Sequence, residues 1–308
     1  MNKLICICIG PLLFNLFIND IVSLFSSNCL LYADDLKICD AILLQYDLSM
    51  ISCWCAQKGT YLNVDKCNCI SFHHKSFPIV YDYKICNSAL KRVKEIRDLG
   101  VIFDREMSFK PHVEYITSRD SMMLGFIKRS CREFSDPYVL KSLYWALVRS
   151  QLEYASVVWN PYYDKLSNSI ESIQKRFVIY ALRRLGWADG FQLPPYLHRC
   201  QLINLESLKH RRDIAGVLFI FDLLPNRIDA PNLLSLIDFS VSSRRLRNPC
   251  FLRLGLHRTN YVKYGPLNNM SKLFNSYSDV FDFGLSRDVF FGQYKIHGFS
   301  AEIVINKP

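Results

Sequence analysis

The 308-residue sequence predicts an α+β fold: a small unit of short strands and helices, followed by a mainly helical region. Up to about residue 105, short apolar segments alternate with turn residues. Beyond about residue 110, apolar residues recur every three or four positions, the spacing of helices with one buried face. With 50% hydrophobic residues and 21% charged, the composition is that of a globular chain long enough for more than one core.

In the first unit, Gly10-Pro11 reads as a helix start, because proline at the first helical position loses no hydrogen bond. Leu13, Phe17 and Ile21 follow at helical spacing. Residues 28–38 read as strand, turn and strand. Asp40 caps a helix with Leu44, Leu48, Ile51 and Trp54 on one face, and Gly59 stops it. Residues 67–73 and 79–86 read as strands, and Val93 to Phe103 as strand and turn.

Four helices are expected next: His112 to about Arg132; Asp136-Pro137 onward with Leu140, Leu143, Leu147 and Tyr154 on one face; about Leu166 to Leu185; and about Leu205 to Leu224. The third carries Lys175, Arg176, Arg183 and Arg184 away from its apolar side, and the fourth carries Lys209, His210, Arg211 and Arg212. After Pro225 the chain breaks into short apolar pieces, with a basic run SRRLRN at 243–248. The regions are thus 1–105, 106–190 and 191–308.

The net charge of +10 is unevenly placed: +1 over residues 1–100, +4 over 101–200 and +5 over 201–308. A basic excess suits a phosphate backbone, though it also suits an ordinary solvated surface. The twelve cysteines lie mostly in apolar runs of a large chain, so reduced core thiols are expected rather than a disulfide framework. Cys53/Cys55 and Cys67/Cys69 lack the two-residue spacer of zinc knuckles. The N-terminal MNKLICICIGPLLFNLFINDI resembles a secretion signal only superficially, since Gly10 and Pro11 interrupt it and no small-residue cleavage site follows. No apolar stretch reaches the ~20 residues that span a bilayer. An intracellular protein without a membrane anchor is expected.

The stretch LLYADDLKI at 30–38 sets Asp34 beside Asp35. Two adjacent carboxylates repel, so the pair belongs either in a solvated hairpin turn or where cations compensate the repulsion.

Taken in order, GPLLFNLFINDI (10–21), LLYADDLKI (30–38), LNVDK (62–66) and DLGVIFDREMSFKPHV (98–113) resemble the second half of a reverse transcriptase from a non-LTR, LINE-type retrotransposon. YWALVRSQLEYASVVWNP (144–161), SIESIQKRF (169–177), LESLKHRRDIAGVLFIFDLL (205–224) and SRRLRNPCF (243–251) resemble the region after the polymerase, so the likeness runs from Gly10 to about Tyr294.

The resemblance implies a partial polymerase palm over 1–105 and a mainly helical thumb and post-thumb region after it, divided into a thumb and connection region over 106–190 and a C-terminal helical and irregular region over 191–308. YADD would stand at the tip of the palm hairpin. Asp34 would ligate two catalytic Mg2+ ions, with Asp35 as a second carboxylate. Two such ions, about 4 Å apart, activate the 3′ hydroxyl and stabilise the leaving pyrophosphate. Tyr32 would lie near the primer end and Gly10 beneath template and incoming nucleotide. Lys66 would help protonate the pyrophosphate. The expected partners are an RNA template, a DNA primer and deoxynucleoside triphosphates, with Arg183, Arg184, Arg211 and Arg212 tracking a duplex backbone.

The family's first catalytic aspartate, shared by both ions, and its fingers precede the motif that ends at Gly10, and MNKLICICI does not match the glutamine-glycine-serine run found there. No endonuclease segment and no closing Cys/His knuckle is evident. The expectation is a late-starting portion of such an enzyme, without polymerase activity alone. Two alternatives stand beside it: a non-catalytic nucleic-acid-binding remnant, and an inert relic prone to aggregate through uncovered edges.

Overall fold

The computed structural model describes residues 2–40, 42–73, 80–134, 136–186, 193–240, 251–255 and 260–276. The basic run at 243–248 lies outside these. The chain is α+β, and it divides into two compact units, Met1–Ser108 and Phe109–Pro308. The regions expected separately at 106–190 and 191–308 thus belong to one compact unit.

The first unit opens with helix α1 (Asn2–Ile18) and a 3-10 turn (Asn19–Leu24). Pro11 is inside α1 rather than at its start. The helix continues across it at the cost of the one hydrogen bond that proline cannot donate. Strands β1 (Asn28–Tyr32) and β2 (Asp35–Cys39) form an antiparallel hairpin, and helix α2 (Leu44–Lys58) follows. Asp40 accepts from the backbone N–H of Ile42 and Leu43, capping the turn that leads into α2. Gly59 ends α2 with φ +64, a conformation that glycine adopts without steric cost. Ile21, Leu48, Ile51, Trp54, Cys55 and Ile85 form the core, and Leu31, Leu36 and Ile38 of the hairpin pack on it.

The remaining strands are short. They are β3 (Asn68–Ile70), β4 (Lys84–Ile85), β5 (Ser88–Ala89), β6 (Lys91–Val93), β7 (Glu95–Asp98) and β8 (Val101–Asp104). β3 pairs with β6 in parallel, while β4 with β5 and β7 with β8 make antiparallel hairpins.

The second unit begins with helix α3 (Lys110–Ser130) and then α4 (Pro137–Tyr144), which Asp136 caps by accepting from the Tyr138 N–H. The single helix expected from residue 136 to 154 is broken. Trp145–Arg149 is a π-helical turn, followed by α5 (Ser150–Glu153), a left-handed Ala155 (φ +50) and α6 (Ser156–Trp159). The wider turn rotates the buried stripe onto Leu140, Tyr144, Val148 and Leu152, four apart, and leaves the expected Leu147 and Tyr154 exposed.

Helix α7 (Asp164–Arg184) is the centre of this unit, with Ile170, Ile173, Phe177 and Leu182 fully buried. It packs against α3, α4, α8 (Tyr196–Leu202) and α9 (Leu208–Leu223). A short helix α10 (Pro231–Leu234), the paired strands β9 (Asp238–Phe239) and β10 (Leu252–Arg253), and helices α11 (Asn260–Lys263) and α12 (Pro266–Asn275) complete it. α12 lies on α9, and a Cβ added at Gly216 would stand 2.9 Å from Met270 Cγ.

Among the described side chains nine cysteines are free, and of these Cys55, Cys131 and Cys200 are buried; Cys39, Cys53 and Cys86 are exposed rather than core thiols. Among the described residues no helix is long and apolar enough to cross a membrane.

Candidate functional site

The β1–β2 register pairs Tyr32 with Asp35, so Ala33 and Asp34 are the two turn residues. Ala33 holds φ +52, the left-handed conformation required at the first central position of a primed hairpin turn. Glycine or asparagine would adopt it cheaply, whereas alanine carries a Cβ penalty. Strand alternation turns Leu31 toward the core and leaves Tyr32 65% exposed. Asp34 and Asp35 are both exposed at the tip.

Three elements hold the hairpin. Asp47 on α2 is fully buried, and its carboxylate accepts the backbone N–H groups of Ser26 (3.2 Å) and Ser27 (3.1 Å) at the entry to β1. Lys37 of β2 pairs with Asp98 of β7 at 2.7 Å. α2 is itself tied to the turn after α1, where Asp20 accepts from Trp54 Nε1 (3.2 Å) and pairs with Lys58 (2.8 Å). The Lys58 ammonium bonded to Asp20 holds that carboxyl below its usual range. Nothing in the sequence distinguished Asp47 as buried or Asp98 as the partner of Lys37; both follow from contacts distant along the chain.

Among the described residues Lys66 makes no ion pair with Asp34 or Asp35; it is exposed on a 3-10 turn, Val64–Lys66. Gly10 lies within α1, and a Cβ there would meet nothing within 4 Å. Among the described residues no group of three or more His, Cys, Asp or Glu side chains is placed to share a metal ion. A magnesium ion takes six oxygen ligands, and a pair of ions needs carboxylates that bridge them. Asp34 and Asp35 stand at an exposed turn, and the described residues bring no third such ligand to them, so they do not by themselves fit a two-ion centre.

The basic residues divide into two kinds. Lys128 on α3 lies close to Arg176 and Arg183 on α7, and its ammonium is pushed below the usual lysine range by burial and then by those two positive charges. Arg183 is exposed, and Arg176 donates to Ser121 Oγ at 2.7 Å. Arg184 is turned inward to the end of α3, donating to the carbonyls of Arg132 and Phe134.

Arg211 and Arg212, expected to track a duplex backbone, are engaged by other side chains of the fold. Arg211 pairs with Glu153 (Nη2–Oε2 3.0 Å) and Glu206 (3.5 Å). Arg212 is only 1% exposed and donates to Asn160 Oδ1 and Ser167 Oγ, each at 3.0 Å. α9 is packed on several sides, so its polar positions meet neighbours instead of water.

A buried polar knot joins the same helices. Glu171 accepts the N–H groups of Leu208 (3.0 Å) and Lys209 (3.1 Å) at the start of α9, together with the Tyr196 hydroxyl. Gln174 accepts from Tyr144 Oη at 3.0 Å and donates to the Glu206 carbonyl at 2.7 Å. Burial, and next the Glu171 charge, push the Tyr196 hydroxyl well above the usual tyrosine range.

Comparison with protein-family models, with curated proteins and with solved structures returned no match.

Proposed function

We propose that the first unit is part of the palm of an RNA-directed DNA polymerase of the non-LTR retrotransposon kind. Asp34 and Asp35 would contribute carboxylates to a magnesium site completed by groups outside the described residues. The observation that carries this reading is Ala33 at φ +52, which puts two exposed carboxylates on the tip of an internally braced hairpin. Glycine or asparagine would hold that turn at lower cost, and strained backbone concentrates at functional sites. Tyr32 and Lys66 are exposed, as contacts for primer and nucleotide require.

The first test uses Mn2+ as a paramagnetic stand-in for magnesium. Amide resonances of residues 32–36 are expected to broaden at low Mn2+, and Asp34→Asn with Asp35→Asn to abolish the effect. Equal broadening in the double variant defeats the reading. In primer extension with RNA template, DNA primer and the four deoxynucleotides, these 308 residues alone are expected to make no product. Asp34-dependent synthesis would refute the incompleteness of the site.

The cationic group Lys128, Arg176 and Arg183 favours a second reading, nucleic-acid binding without catalysis. None of the three forms an ion pair among the described residues. Under that reading Arg176→Ala and Arg183→Ala each remove one phosphate neighbour, and each lowers the slope of log affinity against log salt by about 1. Asp34→Asn would leave binding unchanged.

A further inference from the structure

Helix α3 buries one stripe: Val113, Ile116, Asp120, Leu124 and Ile127. Four of the five are aliphatic. Asp120 is 1% exposed, and neither carboxylate oxygen has a hydrogen-bond partner. α3 runs alongside α7, with Ser121 opposite Arg176 and Cys131 opposite Tyr180, and it also packs on α4, the π-helical turn and α5.

Several charged groups on the elements packed around α3 are held by other partners, and Lys128 and Arg183, which form no ion pair among the described residues, are not among the charges that act on Asp120. Arg176 of α7 is held by Ser121, and Lys141 of α4 donates to the Asn204 carbonyl at 2.8 Å. Arg149 lies over Trp145, and Glu153 is paired with Arg211. On α3 itself, His112 stands edge-on to Trp159, two turns from Asp120. Among the described residues only Arg119, the adjacent one, acts on Asp120 with its charge, and it does not offset the burial.

We propose that Asp120 makes the docking of α3 onto α7 a proton-controlled latch, closed while the carboxyl is neutral and loosened when it ionises. A carboxylate removed from water with no partner is strongly disfavoured, so the docked helix retains the proton that an undocked, hydrated Asp120 releases. Burial raises the docked carboxyl from 3.8 to about 7. The sign follows from proton linkage. Below the ordinary carboxyl value both forms are protonated and docking is strongest. Between that value and about 7 only the undocked form is ionised, so docking weakens with rising pH. Above about 7 both forms are ionised and the dependence levels off.

The experiment is amide hydrogen exchange of α3 in the full chain from pH 5 to 8.5, with opening constants corrected for intrinsic exchange. One proton released on opening raises the opening constant about tenfold per pH unit up to about 7, with a plateau beyond. Asp120→Asn, neutral at every pH, is expected to flatten the profile and to open at least tenfold less than wild type at pH 8. A wild-type profile without slope between pH 5 and 7 overturns the latch by itself. Asp120→Asn opening as readily as wild type at pH 8 also overturns it, because the neutral side chain would then be held no better than the ionised one; if the variant does not fold, the wild-type slope decides.

Discussion

Removing the Asp47 carboxylate should release the hairpin that carries Asp34 and Asp35. Asp47 is fully buried, and its two oxygens take the N–H groups of Ser26 and Ser27, one bond each. Hydrogen bonds to a charged acceptor are worth about 1.5–3 kcal/mol apiece, and a buried donor left unpaired costs a similar amount. Ser27 lies deep enough that its N–H gains little from water, whereas the exposed Ser26 recovers most of its loss.

Asp47→Ala should therefore cost about 2–4 kcal/mol, and Asp47→Asn, which keeps one acceptor oxygen, about half of that. For a unit of about one hundred residues such a loss corresponds to a fall in Tm of roughly 10–20 °C. Thermal unfolding gives the total, and amide exchange across residues 28–39 gives its location. A loss below about 0.5 kcal/mol, or hairpin amides no less protected than those of α2, would refute the claim that Asp47 anchors the strand.

Three further outcomes are expected. Ala33→Gly relieves the left-handed Cβ contact and should raise hairpin stability by about 0.5–1 kcal/mol, measured by urea unfolding. Glu171→Ala leaves the Leu208 and Lys209 N–H groups and the Tyr196 hydroxyl without their acceptor; a loss of about 3 kcal/mol should appear in chemical denaturation of the second unit, with Glu171→Gln milder. Gly216→Ala drives a methyl into Met270 and should cost about 1–3 kcal/mol, which Met270→Ala in the same chain partly restores.

The elements that were legible in the sequence rest on local chemistry. The YADD hairpin, the Gly59 stop, the Asp136-Pro137 helix start and the long amphipathic runs of α3 and α7 depend on residues within one or two turns of each other. Pro11 misled because proline usually starts a helix, yet a strongly apolar run continued through it. The face expected after residue 136 was shifted because a π-helical turn inserts a residue that a 3.6-residue period does not include.

The candidate site was legible only in part. Asp34, Asp35, Tyr32 and Lys66 stand out by type and order, and all four are exposed. Their supports come from far along the chain: Asp47 lies 20 residues beyond Ser27, and Asp98 lies 61 beyond Lys37. The basic residues show the same division. Charge type is written in the sequence, but whether an arginine meets water, a carbonyl or a carboxylate depends on which helices surround it.

The sequence alone thus determined the α+β character, the hairpin and the adjacency of its two carboxylates, because turns and helix periods are set by near neighbours. Tertiary structure decided that Arg211 and Arg212 serve the interior, and that Asp120 is sealed without a partner in the buried stripe of α3. Burial and pairing depend on contacts between residues far apart in the chain, and only packing specifies them.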